Sequence, residues 1–210
     1  MIPLYAKLAF GSGFLVVLAG VYNFRRLNRE MGILFSYFVI SIVVSSVQYV
    51  FAISGKNNLW TMHIFTPIQL VFLMTVFIAW QRNATIKRFM QGSMVLFMIV
   101  WFLSILYLEQ LQQFNWFTRP LQSFILIIAS GVTFSQVQRE ELLSIRYEPR
   151  FWVSAATLLY FCGVIVLFAL SNKLLAVSID TLRLAWPVQA FVAIVTNILY
   201  GLGFLCLKPR

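Results

Sequence analysis

The sequence predicts an all-α polytopic membrane protein, a single bundle of seven transmembrane helices, on three observations. Seven apolar stretches use nearly all of its 210 residues, the hydrophobic share is 61% against a charged share of 10%, and positive charge gathers on alternate loops. A soluble domain is about 45–50% apolar and about 25% charged, so water is the wrong solvent for this chain. The net charge of +10 then reads as an orientation signal, helped by anionic inner-leaflet lipid. A nucleic-acid footprint is excluded, because its basic and aromatic residues would interleave over one solvated surface.

A bilayer core of roughly 30 Å asks for about 20 apolar residues per helix. The chain offers spans at 4–22, 33–54, 60–80, 90–108, 121–137, 151–170 and 182–207. They must be helices, since hydrocarbon leaves no backbone group unpaired and the period-2 alternation of a barrel strand is missing. The loops between them are too short for a second domain, so residues 1–210 form one membrane domain.

The first span is a mature helix rather than a cleavable signal, because its basic pair, Arg25 and Arg26, follows the apolar run and no small-residue cleavage site stands behind it. In the second, Gln48 needs a partner across the bundle. The third contains Pro67. The fourth is uninterrupted, and Asn83-Ala84-Thr85 before it matches a glycosylation acceptor that the charge rule places inside, a chance match. Gln122, Ser123, Ser130, Thr133, Ser135 and Gln136 dilute the fifth, on which the orientation of everything downstream depends. The sixth carries Cys162 and the seventh Cys206, too far apart in depth for a disulfide and better read as packing residues.

Lys and Arg in short loops set orientation. Arg25, Arg26, Arg29, Arg82, Lys87, Arg88, Arg139, Arg146, Arg150, Lys208 and Arg210 fall on one side, and Lys7, Lys56, Arg119, Lys173 and Arg183 on the other. The N-terminus is therefore expected outside and the C-terminus in the cytoplasm, in a multi-pass protein of the cytoplasmic (inner) membrane.

An offset of 120 positions lays Thr61, Pro67 and Gln69 of the third span over Thr181, Pro187 and Gln189 of the seventh. It also lays the second span over the sixth and the first over most of the fifth. The resulting three-plus-one-plus-three plan of parallel repeats resembles the SWEET and PQ-loop transporters in architecture. Their diagnostic prolines lie in the first and second helix of each triple, whereas here they fall in the third. The alternative is chance likeness in so biased a composition.

A proline inside a helix frees the carbonyl four residues back, here those of His63 and Arg183. His63, Thr66, Pro67 and Gln69 with Arg183, Pro187, Gln189 and Asn197 are the candidate ligand cavity, opening outward. The competing reading is that the prolines shape the bundle and the polar groups satisfy freed carbonyls. Gln48, Gln69, Gln189 and Asn197 are expected to face inward as interhelical glue. Gly11, Gly13, Gly20, Gly131, Gly163, Gly201 and Gly203 are expected to let helices approach closely.

His63 is the only histidine, so no His-based metal cluster is expected. All six acidic residues are assigned to loops or helix ends, leaving no mid-membrane carboxylate for a proton-coupled carrier. The seventh span lacks the internal lysine of a retinal Schiff base, and no H-E-x-x-H, phosphate-cradling glycine loop or G-x-S-x-G occurs. No catalytic set and no cofactor are expected. Residues 109–120, with Phe114, Trp116 and Phe117, read as an outer loop along the headgroups. Residues 138–150 read as a dock for a cytoplasmic partner or a solvated connector.

Ile64-Phe65-Thr66-Pro67-Ile68-Gln69-Leu70, Phe151-Trp152 with Leu159-Tyr160-Phe161, and the ending Thr196-Asn197-Ile198-Leu199-Tyr200 with Lys208 and Arg210 carry a further likeness. Over its whole length the chain resembles the small, mostly uncharacterised seven-span membrane proteins abundant in Bacteroidota. Genes of such proteins often lie near signalling kinases, so the resemblance implies a sensor or receptor-like subunit with a cytoplasmic signalling partner. The alternative is a small-molecule transporter or facilitator, and the third reading a structural subunit that assembles with other chains or with copies of itself in membrane lipid.

Overall fold

The computed structural model describes residues 3–140 and 145–207, apart from the side chains of residues 175 and 179–183. The described elements are α1 (Leu4–Tyr22), α2 (Arg29–Ile53), α3 (Leu59–Trp80), α4 (Ala84–Tyr107), α5 (Thr118–Arg139), α6 (Pro149–Val177) and α7 (Ile179–Leu205), with 3-10 turns at Phe24–Arg26 and Ile145–Tyr147. All seven long helices have the length and apolarity to cross a membrane, the architecture of a multi-pass membrane protein.

Capping sets several helix starts earlier than apolarity alone predicts. The Asn28 side chain accepts from Met31 N at 2.9 Å and starts α2. The Asn83 side chain accepts from Thr85 N at 2.8 Å and Ile86 N at 3.2 Å and starts α4, so the apparent glycosylation triplet is an N-cap. Pro149 opens α6 at the position where its missing N–H costs nothing.

Six helices form a closed ring in the order α1, α2, α3, α5, α6, α7 and back to α1, while α4 lies outside it against α3 and α5. The outer face of α4 exposes Phe89, Leu96, Phe102 and Leu106. Such a continuous apolar surface is unstable against water and ordinary against acyl chains. α3 is apolar all round and is the most buried of the seven spans.

The half of the ring toward the α1–α2, α3–α4 and α5–α6 connections, the arginine-rich face, is solid. Met31 and Leu34 of α2, Leu73 and Phe77 of α3, Leu126 of α5, Val153 of α6 and Phe204 of α7 are buried together there. The amide of Asn23, at the end of α1, donates to Phe204 O at 3.1 Å and ties α1 to α7.

The polar dilution of α5 has a packing cause. Arg119, Gln122, Ser123, Leu126, Ser130, Thr133 and Val137 are all buried, at spacings that form one inward stripe. Serine and threonine hydroxyls on it return to the carbonyl four residues back, as Ser123, Ser130 and Thr133 do. Thr133 also accepts from Gln81 Nε2 at 2.9 Å, joining α5 to the end of α3.

Close approach depends on some of the expected glycines and not others. A Cβ at Gly20 would run into the Phe35 ring, one at Gly163 would sit 3.0 Å from Val192, and one at Gly203 would sit 3.1 Å from Val153, whereas Gly11 and Gly201 have open space. Gly20→Ala is expected to cost about 1–3 kcal/mol by overpacking. Gly11→Ala is expected to be neutral or stabilising by up to about 1 kcal/mol through helix propensity, and thermal unfolding of the detergent-solubilised chain compares the two.

At the arginine-rich face, Arg150 donates to both Glu140 carboxylate oxygens, at 3.1 and 2.7 Å, and to Glu148 at 2.7 Å. Arg82 lies 3.8 Å from Glu140. The bond from Arg150 holds the Glu140 carboxyl below its usual range. The unfolded chain therefore binds the proton more readily, and this pair stabilises the fold at neutral pH and loses its effect as pH falls through the carboxylate range. Glu140→Gln is expected to lower stability by about 1 kcal/mol at neutral pH and to lose that difference in acid, read from unfolding curves at both pH values.

Candidate functional site

Opposite the solid half, the ring encloses a cavity of about 490 Å³, within the roughly 300–1,000 Å³ of small-molecule sites. Its rim lies at Pro3 before α1, Ala52 of α2 and Asn58 before α3, and its deep end at Tyr37, Gln69, Arg119, Tyr160 and Tyr200. From Ala52 to Tyr37 along α2 is about 22 Å at 1.5 Å per residue, so the cavity reaches past mid-depth and stops on the packed core.

Apolar walls come from Phe10, Ile42, Met62 and Phe65, with Ser41, Ser45, Gln48, Gln189, Thr196 and Asn197 interspersed. Gln48 Nε2 donates to Thr61 Oγ1 at 2.8 Å and Asn197 Nδ2 to Ser12 Oγ at 2.8 Å, the cross-helix pairing that buried amides need.

Arg119 dominates the deep end. Its Nη1 donates to Gln69 Oε1 at 2.6 Å and Gln122 Oε1 at 3.2 Å, and its Nη2 to Tyr160 Oη at 3.3 Å. The guanidinium lies over the Phe168 ring at 5.1 Å, a cation–π contact. Gln69 in turn donates to Tyr37 Oη at 2.6 Å, and Gln122 donates to Gln69 Oε1 at 3.1 Å. Tyr200 Oη shares a hydrogen with Thr157 Oγ1 at 2.8 Å. Gln69 is midway along α3, about 15 Å from either end, so a charge bonded to it sits near the middle of the span.

This placement corrects the reading of Arg119 as a loop cation and of Phe114 as an aromatic lying along the headgroups. After α4 the chain folds back into the bundle, and α5 begins at mid-depth. Phe114, Asn115 and Glu109 are buried, while Trp116 and Phe117 remain exposed. The segment is held between α3 and α6, with the Phe114 ring against Trp186 of α7. Asn115 Nδ2 donates to Thr66 Oγ1 at 2.7 Å, His63 Nε2 meets Gln113 O at 3.0 Å, and Asn172 Nδ2 donates to Phe114 O at 3.2 Å. A carbonyl only accepts, so His63 Nε2–H is the donor of that bond.

Glu109, assigned from the sequence to a loop, is buried and caps α5. One oxygen accepts from Phe117 N at 2.7 Å and Thr118 N at 3.1 Å, the other from Thr118 Oγ1 at 2.6 Å, with His63 Nδ1 3.8 Å away. A carboxylate there satisfies orphan donors and complements the helix dipole.

The residues singled out from the sequence are divided by the fold. Gln69, Gln189 and Asn197 line the cavity. His63, Thr66 and Pro67 are buried outside it, with His63 and Thr66 bonded to the inserted segment. The His63 carbonyl freed by Pro67 accepts from Trp101 Nε1 of α4 at 3.0 Å. Pro187 is exposed, and the Arg183 side chain lies outside the described residues. Sequence reading missed Arg119, Tyr37 and Tyr160. The available signal was the stripe that Arg119 begins, continued at Gln122, Leu126, Ser130 and Thr133.

Glu109→Ala strips three donors of their acceptor at a buried helix start, and the expected loss is on the order of 3 kcal/mol. Glu30→Ala, in the first turn of α2, should cost under about 1 kcal/mol. Thermal unfolding in detergent compares them. No family model, curated protein or solved structure matches the chain.

Proposed function

We propose that this chain is a receptor-like membrane subunit that takes a small molecule from outside the inner membrane into the cavity and addresses a cytoplasmic partner through its arginine-rich face. The observation that carries this reading is the one-sidedness of the cavity: it opens at Pro3, Ala52 and Asn58 and ends on Tyr37, Tyr200 and Arg119, beyond which Met31, Leu34, Leu73, Phe77 and Phe204 are packed solid. A conducting path would need that core to part. The rule that places basic loops in the cytoplasm turns the cavity outward, and with Arg119 inside the bundle the remaining loop charges are still more one-sided. The Glu140, Arg150 and Glu148 cluster supplies mixed charge for a docking partner on the opposite face.

One observation favours transport as the second reading. In the ring order α1, α2, α3, α5, α6, α7, with α4 outside, a half turn exchanges α1 with α5, α2 with α6 and α3 with α7. That is the order a parallel three-plus-one-plus-three repeat requires.

The two readings differ in access. With Cys162 and Cys206 replaced by serine, Ser45→Cys on the cavity wall is expected to react with a membrane-impermeant thiol reagent in right-side-out vesicles and to stay protected in inside-out vesicles. Comparable labelling from both sides would sink the receptor reading and support alternating access.

A further inference from the structure

We infer that the cavity is a carboxylate-binding site, in which Arg119 grips the ligand's single negative charge at mid-depth and the apolar walls hold its body. The inference rests on the reading of the cavity as a ligand site and adds the class of ligand.

Arg119 is 7% exposed, and none of the ion pairs among the described residues includes it. Its three hydrogen-bond acceptors, Gln69, Gln122 and Tyr160, are all neutral. Glu109 faces its own three donors. A guanidinium stays protonated in a protein, and a cation held in a low-dielectric interior is costly without a counter-charge. Among the described residues Arg119 is also the only charged side chain on the cavity wall, so a bound ligand must bring the missing negative charge itself.

Hydrogen-bond inventory gives the same answer. A guanidinium has five N–H donors in a fixed plane. Both on Nη1 are used and one on Nη2 is used, while Nε is buried without a partner. Nε–H is therefore unused, together with one Nη2–H, and Nε–H shares an edge of the plane with an Nη2–H. That edge holds a carboxylate through two parallel bonds. Tyr160, whose oxygen accepts from Arg119, keeps its own O–H to donate.

One positive charge matches a monoanion and not a phosphate dianion. The walls above it, with Phe10, Ile42, Met62 and Phe65, suit an apolar body. The ligand is therefore an organic monocarboxylate, either a soluble acid entering from the rim or an acyl chain entering from the membrane.

The purified chain in zwitterionic nanodiscs is titrated by calorimetry with acetate, 3-phenylpropionate and decanoate, with 3-phenylpropionamide as neutral control and inorganic phosphate as the competing anion. Saturable binding of a carboxylate, absent for the amide and weakened about 100-fold by Arg119→Gln, is expected. Preference for 3-phenylpropionate identifies the soluble source, and preference for decanoate the membrane source. If Arg119→Gln does not elute as a folded species, Arg119→Lys, which keeps the charge and loses the two-bond edge, is expected to weaken binding about tenfold.

Equal binding of the acid and the amide would overturn the charge assignment and leave the cavity as a ligand site. Preference for phosphate would overturn the carboxylate. Binding of none of the probes would overturn the proposal, and if Ser45→Cys is then labelled from both sides the receptor reading falls separately.

Discussion

A single positive charge near the middle of an apolar bundle is the constraint around which the rest of this structure is arranged. Taking a guanidinium out of water costs several kcal/mol even after relaxation, and Arg119 recovers part of that from Gln69, Gln122 and Tyr160 and from the Phe168 ring. Those partners come from α3, α5 and α6. The charge therefore accounts for Gln122 on the α5 stripe and for the Gln69 amide at the centre of the ring, which a bundle built only for burial would not contain.

Bringing Arg119 to mid-depth requires α5 to start there, and so the chain between α4 and α5 has to enter the bundle as irregular backbone. Hydrocarbon tolerates such backbone only where protein surrounds it. Glu109, His63, Thr66 and Asn172 provide that surrounding by taking the segment's N–H and C=O groups or its side-chain amide. Pro67 belongs to the same arrangement: it frees the His63 carbonyl, and Trp101 of α4 takes it, which helps seat α4 against α3 outside the ring.

The helices were legible because apolarity over about 20 residues is a local property, and α1 matches its expected span residue for residue. Where helices run longer than apolarity indicates, the reason is a cap such as Asn83, whose side chain was visible as a residue type but not as a hydrogen bond. The charge of Arg119 and the carboxylate of Glu109 both read as loop features because hydropathy counts residues along the chain and cannot register a segment that folds inward. The dilution of α5 was visible and pointed to the right helix. Its meaning, that one face of α5 is the polar floor of a cavity, depends on neighbours from α3 and α6 distant in sequence. His63 and Pro67 were close to Gln69 in sequence and lie on another face of α3 in space, because six and two residues along a helix of 3.6 residues per turn rotate a side chain well away from the site, while Thr66, about one turn before Gln69, is taken by Asn115 of the inserted segment.

A cavity closed at depth by its own charge couples occupancy to the helices that hold the charge. Neutralising Arg119 changes the strength of its bonds to Gln69 on α3 and Tyr160 on α6, since a full negative charge on the free edge of the guanidinium offsets the positive charge that both dipoles face. α3 and α6 continue through the packed core to the arginine-rich face, where Gln81 meets Thr133 and Arg150 meets Glu140. A ligand shifts such a system only to the extent that it prefers one arrangement of these helices over another, and an interior that is close-packed beneath the cavity passes small displacements along instead of absorbing them. On the receptor reading, the solid half of the ring is thus the element between ligand and partner, and on the transport reading it is the barrier that must open. The same packing serves both, and what separates them is whether the core around Phe77 and Phe204 moves as a body or parts.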